Sequence, residues 1–287
     1  MEEPTPEQDP RSYWVRRLHE FLPGFLEGHP ALTKVHRRAS AILHGSTTWG
    51  VDDEWSDLDV WLLLPEADLR EVAVSCDTRF FEFTLDGKAG HLNAESSEAF
   101  AESMHACHMD TIYQLRRAEV IADGSGVAAE LVGEARRPMR PEVRDAFFFY
   151  HYVEMRGEQR AGANPMERHD PFGSLISVPR TLAHALQAAL ILDGEPYPYD
   201  KWLYAAARRT PTGRLLIPHV EAIIEHLAND TLRCSAPRAE NPLAIELWDI
   251  RNVLIRAARS QGKNEPWLDK WWLCMNQARD AIRNIRW

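Results

Sequence analysis

The sequence predicts an α+β fold, in which an N-terminal mixed sheet is followed by a C-terminal α-helical bundle. Short apolar runs of β-like composition alternate with helix-like segments in the first half, which favours a mixed α/β layer. Beyond residue 138 the segments are long, helix-periodic and separated by glycine or proline, as in a helical bundle. The 287 residues exceed what one core of ordinary size needs. With ARRPMRP as the linker, we expect domains at residues 1–137 and 138–287.

The elements of the first domain follow in order along the chain. Residues 11–27 carry apolar residues at helical spacing and predict a helix, and TKVHRRA predicts a short second one. AILHG predicts a strand, DLDVWLLLP a strand closed by Pro65, and EADLREVAVSC a helix. RFFEFTLDGKAGHLNAES predicts two strands joined at Asp86-Gly87, because Asp-Gly suits a tight hairpin turn. A helix over residues 96–117 and a strand in AEVIADGSG complete this domain.

The second domain is predicted to consist of helices. Five segments carry the helical period: RPMRPEVRDAFFFYHYVEMRGEQRA, GSLISVPRTLAHALQAALILDG, GRLLIPHVEAIIEHLAND, NPLAIELWDIRNVLIRAARSQG and WLDKWWLCMNQARDAIRNI. Glycine and proline between them mark the turns of a bundle.

Charge is distributed unevenly between the two halves. Residues 1–135 carry 11 Lys or Arg against 25 Asp or Glu, whereas residues 136–287 carry 22 against 18. An acidic domain and a mildly basic one suggest a site between them, where one wall attracts cations and the other a polyanion. A strongly basic patch of the kind that binds nucleic acid is absent, which makes nucleic acid the less favoured partner.

Cysteine spacing and hydropathy predict the compartment. No apolar stretch approaches the ~20 residues that a membrane span requires, so no membrane association is expected. The sequence has no C-x-x-C pair, which predicts free thiols in a reducing environment, and we therefore expect a cytoplasmic protein. The cysteines are Cys76, Cys107, Cys234 and Cys274.

The most informative stretch is ILHGSTTWGVDDEWSDLDVWLLL, residues 42–64. Gly45 and Ser46 follow a predicted strand, at a turn where backbone N–H groups and a hydroxyl can donate to a phosphate. Asp57 and Asp59 open the next strand and point to the same side, since side chains alternate along a strand. Two adjacent carboxylates repel, and a divalent cation such as Mg²⁺ relieves that repulsion. A phosphate cradle beside a magnesium pair is typical of phosphoryl or nucleotidyl transfer.

The segments LHGSTTWG and SDLDVWLLL resemble the nucleotidyltransferase superfamily of the polymerase-β type. Within it they resemble the antibiotic nucleotidyltransferases of aminoglycoside and lincosamide type and their uncharacterised relatives. The resemblance covers residues ~35–135 and implies a mixed sheet with flanking helices, Gly45 and Ser46 on the nucleotide phosphates, and Asp57 and Asp59 on Mg²⁺. PYPYDKWL resembles a segment of the helical domains of these relatives, which would put Lys201 on the triphosphate.

The resemblance also implies a third acidic residue on a later strand, as a metal ligand or as the base for the acceptor hydroxyl. In GHLNAES a period of two puts His91, Asn93 and Glu95 on one face, and Glu95 is the carboxylate among them. We therefore predict Glu95 as the third catalytic carboxylate. Two alternatives stay open: Glu82 on the preceding strand supplies it, or Asn93 occupies the family's acidic position and the site has two carboxylates.

Two tryptophans of the motif loop, Trp49 and Trp55, are candidates to flank a nucleobase or a ring of the acceptor.

The predicted activity is Mg²⁺-dependent transfer of a nucleoside monophosphate from an NTP, with ATP expected, to a hydroxyl group. A small-molecule acceptor of aminoglycoside type fits the acidic first half, because a polycation is attracted there. The alternatives are transfer to a tRNA end or a protein hydroxyl, and a non-catalytic nucleotide-binding or toxin–antitoxin-type partner of the same fold.

Overall fold

The computed structural model describes residues 10–168, 170–229, 237 and 239–287. The chain divides into two compact units, Met1–Arg137 and Pro138–Trp287. The first unit contains a five-stranded sheet with helices, and the second is helical, so the predicted α+β fold class is confirmed.

The sheet of the first unit is mixed, with strand order β3-β4-β2-β1-β5. Only the pairing of β2 with β4 is parallel among the described strands. The strands are β1 (Ser40–His44), β2 (Leu58–Leu64), β3 (Phe80–Leu85), β4 (Lys88–Ser96) and β5 (Glu119–Asp123). The helices of this unit are α1 (Pro10–Gly28), α2 (Ser46–Trp49), α3 (Glu66–Ser75), α4 (Ser97–His105), α5 (Met109–Arg117) and α6 (Val127–Ala135).

The two faces of β2 have different environments. Leu58, Val60, Leu62 and Leu64 are fully buried in the core that α1 and α3 cover, because alternate side chains of a strand share one face. The opposite face carries Asp59 and Trp61. There the Trp61 ring contacts Phe100 of α4, and His44 of β1 bonds to Gln114 of α5. β2 therefore holds its aspartate on a face shared with α4 and α5.

The hairpin between β3 and β4 turns at the predicted Asp-Gly pair. Asp86 and Gly87 have positive φ angles of 50° and 82°, as a tight hairpin turn requires at both central positions. Tyr13 and Arg17 of α1 donate hydrogen bonds to the Asp86 carboxylate and fix the hairpin to the first helix. Arg17 lowers the pKa of Asp86 to about 2, mainly through this hydrogen bond.

Three local predictions differ from the structure. The helix expected over residues 96–117 is broken at Cys107, whose φ of 62° ends α4 and lets α5 start in a new direction. TKVHRRA forms a single turn of 3₁₀-helix at His36–Arg38. Helix α6 is the third difference, because no element is predicted between the strand in AEVIADGSG and the ARRPMRP linker.

In its described residues, the second unit is built from long and short helices with two 3₁₀ turns. Its elements are α7 (Pro141–Glu167), α8 (Pro171–Leu192), α9 (Asp200–Ala207), α10 (Pro211–Ala228), α11 (Pro242–Ser260), α12 (Met275–Arg283) and the turns Pro266–Leu268 and Trp271–Leu273. Three of the helices begin with a capping residue followed by proline, the preferred order at a helix start. The caps Asp170, Thr210 and Asn241 accept hydrogen bonds from backbone N–H groups in the first turn.

Helix α8 differs from the hydropathy expectation. In the described part of the chain it is the one helix long and apolar enough to cross a membrane, so the prediction that no stretch approaches this length is wrong. Its most apolar window is 56% buried inside the protein, as in the core helix of a globular unit. The predicted cytoplasmic location stays a prediction.

Two of the four cysteines, Cys76 and Cys274, are free thiols in the described part of the chain. Cys107 is buried, and Cys234 lies outside the described residues.

The second unit buries a pair of histidines on facing helices. His151 of α7 is 2% exposed, and its Nδ1 lies 3.0 Å from Nδ1 of His184 on α8. Its Nε2 lies 2.9 Å from the hydroxyl of Tyr197. Burial lowers the pKa of both histidines, and the neighbouring His184 lowers that of His151 further. Both rings are therefore neutral in the folded protein at pH 7.

We expect this pair to make stability depend on pH below neutrality. In the unfolded chain His151 takes up a proton as the pH falls through about 6.5, whereas the folded state resists protonation, so the free energy of unfolding decreases. From pH 7.5 to 5.5 its share is at most about 1.4 kcal/mol, the value for a folded state that takes up no proton in this range. Urea unfolding of the wild type and of His151→Gln at both pH values measures it. The variant should lose less stability on acidification, and equal losses would contradict the assignment.

Candidate functional site

The turn after β1 leads directly into the short helix α2. Gly45 adopts φ 79° and ψ −158°, a conformation that glycine alone adopts without strain. Ser46, the first residue of α2, is 6% exposed. The turn is closed by a hydrogen bond from Thr48 Oγ1 to the Gly45 carbonyl and by one from the Val51 N–H to the Ser46 carbonyl.

Gly45 also lies against the aspartate of the neighbouring strand. His44 pairs with Asp59 in the antiparallel register of β1 and β2, which brings the turn beside the Asp59 side chain. A Cβ atom at position 45 would lie 2.6 Å from Asp59 Oδ2, closer than non-bonded atoms approach. Glycine at this position therefore gives the Asp59 carboxylate its space.

Asp57 and Asp59 converge with a histidine from β4. Asp59 and His91 are register partners in the parallel pairing of β2 and β4. The ligand atoms of Asp57, Asp59 and His91 all lie within 4.8 Å of one another, and each side chain is partly exposed. His91 Nδ1 is 3.0 Å from Asp57 Oδ2. Within the described residues, these three form the one group of carboxylates and imidazoles whose geometry suits a metal ion.

The loop between α2 and β2 is held by its own polar groups and by β4. Asp53 Oδ1 accepts hydrogen bonds from the Trp55 N–H and the Ser56 hydroxyl, and this bonding lowers the pKa of Asp53. Lys88 at the start of β4 pairs with Asp52 at 3.5 Å. Trp55 is 86% exposed at the tip of the loop.

Trp49 is not available to stack on a ligand. It is 6% exposed, and its ring meets the Tyr113 ring edge-on, with 4.9 Å between centroids. It is a core residue of α2, which leaves Trp55 as the exposed aromatic residue of the motif loop.

His44, the last residue of β1, is the cross-strand partner of Asp59 and is buried, with 7% of its surface exposed. Its ring stacks on Trp61 with 3.7 Å between centroids, and its Nδ1 is 2.8 Å from Gln114 Oε1. Burial lowers the pKa of His44 to about 3, so the ring is neutral. Its Nε2 is buried without a hydrogen-bond partner in the described residues.

The strand register does not bring Glu95 to the two aspartates. Glu95 is level with Leu63, four residues beyond His91 on β4, which is about 13 Å along the strand. Glu82 is closer in register, because it pairs with His91 from the edge strand β3. Asn93 pairs with Trp61, which is two residues beyond Asp59 on β2, so Asn93 lies on the same face as Asp59. The catalytic role of Glu95 stays a prediction that this register does not favour.

Lys201 belongs to the second unit. It is exposed in the first turn of α9, and its Nζ lies 5.0 Å from the centroid of the neighbouring Trp202 ring. Its predicted contact with the triphosphate stays a prediction.

Two residues of the site, His91 and His44, were missed as functional candidates from sequence. His91 shares the predicted face of Glu95, so the pattern contained the signal, but the expectation of an acidic residue directed the choice to Glu95. His44 precedes Gly45 in the motif segment, where the pattern indicates only the last residue of a strand.

Comparisons with known proteins give a distant structural likeness. The chain is similar to the nucleotidyltransferase-like protein from Exiguobacterium sibiricum 255-15, with a TM-score of 0.47 and 10% sequence identity over 87% of this chain and 77% of that chain. No protein-family model and no curated protein matches the sequence.

Proposed function

We propose that this protein is a metal-dependent nucleotidyltransferase, which moves a nucleoside monophosphate from an NTP, with ATP expected, to a hydroxyl group and releases pyrophosphate. The observation that carries the proposal is the convergence of Asp57, Asp59 and His91 beside the Gly45-Ser46 turn. Phosphoryl-group chemistry requires a group that holds a cation and a group that holds phosphate. The carboxylates could supply the first, and the neighbouring turn could supply the second.

The two aspartates fit a divalent cation, with Mg²⁺ expected from the resemblance. Asp57 and Asp59 offer hard oxygen ligands, and the Gly45 turn leaves space at Asp59 Oδ2 that a side chain would fill. When bound, the cation would neutralise charge that develops on the transferred phosphoryl group. Asp57 and Asp59 would hold it, and His91 lies close enough to take part.

The turn after β1 would hold the nucleotide phosphates. Gly45 lets the backbone come close to a ligand, and Ser46 supplies a hydroxyl at the first position of α2. In this arrangement the turn would orient the triphosphate, and the two aspartates would hold the cation. Positioning and charge stabilisation account for most of the catalysis in this class of reaction.

A small, positively charged acceptor, such as an aminoglycoside-like antibiotic, fits the acidic surroundings of the site. The loop that leads to β2 carries Asp52, Asp53 and Glu54 just before Asp57, and Glu54 is exposed. A polycationic acceptor is attracted to such a loop, whereas the backbone of tRNA is repelled by it. Transfer to tRNA or to a protein hydroxyl is the alternative reaction.

A non-catalytic nucleotide-binding protein, such as a toxin–antitoxin partner, is the second candidate function. It is favoured by the third member of the site, because His91 rather than a carboxylate lies level with Asp59. If that acid were needed to activate the acceptor hydroxyl, its replacement would leave nucleotide binding without turnover.

A labelling experiment distinguishes these functions. The full chain is incubated with divalent metal, α-³²P-labelled NTPs and, in separate reactions, hydroxylated antibiotics, tRNA and protein acceptors. Label that moves to an antibiotic supports the proposal and the acceptor class, and label in tRNA or protein supports the alternative. NTP that binds, as measured by equilibrium dialysis, but never transfers its label identifies the non-catalytic function. Failure to bind any NTP would refute both.

Replacement of Ser46 by Ala should weaken NTP binding more than it slows the saturated reaction. The hydroxyl is proposed to hold phosphate in the ground state and the transition state alike, so its loss raises KM with little change in kcat. One lost hydrogen bond to a charged group predicts an increase in KM of roughly tenfold. Steady-state kinetics over a range of NTP concentrations measures both constants. A fixed KM with a collapsed kcat would instead place Ser46 in the chemical step.

A further inference from the structure

The third member of the metal-binding group is a nitrogen donor. His91 lies directly opposite Asp59 in the parallel pairing of β2 and β4. Side chains at such partner positions leave the sheet on the same face, side by side. The residue of β4 beside Asp59 is therefore a histidine. The carboxylate of β4, Glu95, lies about 13 Å from His91 along the strand.

The geometry of the three ligand atoms suits one metal ion. Neighbouring ligands of an octahedral ion with bonds of roughly 2.1 Å are about 3 Å apart, and opposite ones about 4.2 Å. His91 Nδ1 and Asp57 Oδ2 are 3.0 Å apart, and all three ligand atoms lie within 4.8 Å of one another. A single ion can therefore bind all three atoms with only small side-chain adjustments.

The His91 ring is held in place from its other side. Phe80, on the edge strand β3, packs against it with 4.6 Å between ring centroids and an interplanar angle of 30°. His91 Nδ1 also lies 3.0 Å from Oδ2 of Asp57, the residue before β2. An oriented ring has lost its freedom before a ligand arrives, which favours metal coordination over a mobile surface contact.

A second, independent feature marks the same place. His44 is the cross-strand partner of Asp59 on the β1 side, and it is more than nine-tenths buried. Its Nδ1 lies beside Gln114, but its Nε2 has no hydrogen-bond partner in the described residues. Buried polar atoms are normally bonded, so a buried ring nitrogen without a protein partner, on the cross-strand partner of Asp59, indicates a polar ligand on this face. The Gly45 backbone, which leaves space at Asp59 Oδ2, bounds the same side.

The donor set determines which cation binds best. Mg²⁺ prefers oxygen ligands and retains its water molecules, whereas imidazole nitrogen suits the first-row transition metals. One nitrogen and two carboxylates are a mixed set that such a metal accepts readily. Manganese(II) is the member of the series that also accepts carboxylate and water ligands well.

We propose that His91 is the third metal ligand, together with Asp57 and Asp59, and that the site prefers Mn²⁺ or a similar first-row transition metal to Mg²⁺. The inference deepens the proposed function, since it concerns the cation of that site and rests on the metal-binding role proposed for the two aspartates. The family resemblance implies a third acidic residue and Mg²⁺, whereas the present proposal has His91 as the third ligand.

Metal binding is tested without reference to turnover. Isothermal titration of the full chain with MnCl₂ and, separately, MgCl₂ should give a dissociation constant for Mn²⁺ that is lower by roughly tenfold or more. Pulsed EPR of the Mn²⁺-loaded protein should show modulation from a directly bound ¹⁴N nucleus. Equal affinity for the two metals, or a Mn²⁺ spectrum without nitrogen coupling, would overturn the proposal.

Two variants of His91 separate coordination from hydrogen bonding. His91→Asn keeps an N–H donor near the position of Nδ1 but removes the imidazole, so the preference for Mn²⁺ and the ¹⁴N signal should both be lost. If His91 only orients Asp57 through a hydrogen bond, this variant will keep the wild-type preference, which refutes the proposal. His91→Asp restores a third carboxylate and should shift the preference towards Mg²⁺.

A remote histidine supplies the control. His105 of α4 pairs with Glu134 outside the site, so His105→Asn should leave metal binding unchanged.

The results also distinguish this inference from the proposed function. Binding of Mn²⁺ through His91 without any label transfer would support the inference and refute the proposed activity. Transfer with Mg²⁺ that is indifferent to His91→Asn would do the reverse. A chain that binds no divalent metal would overturn both.

Discussion

Replacement of Asp59 by Asn is expected to reduce nucleotidyl transfer on the order of 10²–10⁴-fold while the protein stays folded. Asn has the shape of Asp but no charge, so the site loses one of its two anionic ligands. Asp59 is also the residue that lies between the Gly45 turn on one side and His91 on the other. The same substitution should weaken Mn²⁺ binding in the titration described above, because the metal-binding group keeps only one of its two carboxylates.

A matched control uses an acidic residue outside the site. Glu27 near the end of α1 is exposed, and Glu27→Gln removes one negative charge without touching the metal-binding group or the loop before β2. Transfer in this variant should stay within about twofold of wild type, because exposed charges are screened. Circular dichroism and thermal melting of both variants verify the fold. An active Asp59→Asn enzyme would refute the assignment of Asp59 to the cation.

Replacement of Gly45 by Ala should damage both stability and metal binding. At φ 79° and ψ −158° a side chain costs about 1–3 kcal/mol. The new Cβ would also lie 2.6 Å from Asp59 Oδ2, so the carboxylate must move. We expect the melting temperature to fall by roughly 2–10 °C and the affinity for a divalent metal to decrease together with it.

Gly50 separates strain from steric contact. It ends the same helix with φ 65°, but an added Cβ would meet no atom within 4 Å. Gly50→Ala should therefore decrease the free energy of unfolding by about 1 kcal/mol and lower the melting temperature accordingly. It should leave the affinity for metal unchanged. Equal loss of metal affinity in both variants would show that the turn acts through general destabilisation rather than through Asp59. Differential scanning fluorimetry and metal titration give the two readouts.

Much of the first unit could be predicted because its signals are local. The apolar alternation of residues 58–64 locates β2 and puts Asp59 on the face opposite the core. Asp86-Gly87 predicts the hairpin because its two residues adopt positive φ, which few other pairs tolerate. Capping residues followed by proline mark the starts of α8, α10 and α11.

What could not be predicted depends on contacts between distant segments. Alternation shows that His91, Asn93 and Glu95 share a face, but a parallel pairing sets which of them is level with Asp59. The break at Cys107 has neither glycine nor proline to announce it. The burial of Trp49 follows from its packing on Tyr113, a residue 64 positions away in the sequence.

The parallel pairing of β2 with β4 also bears on the order in which the protein folds. β3 and β4 are consecutive and form a local hairpin. β2 is separated from β4 by α3 and β3, so their pairing requires closure of a longer segment of the chain. Contacts between distant segments form slowly, because closing the intervening loop costs entropy first. We therefore expect Asp59 and His91 to come together late in folding. A metal ion bound there would stabilise contacts that are absent while the chain is still folding, so it should slow unfolding and leave the folding rate almost unchanged.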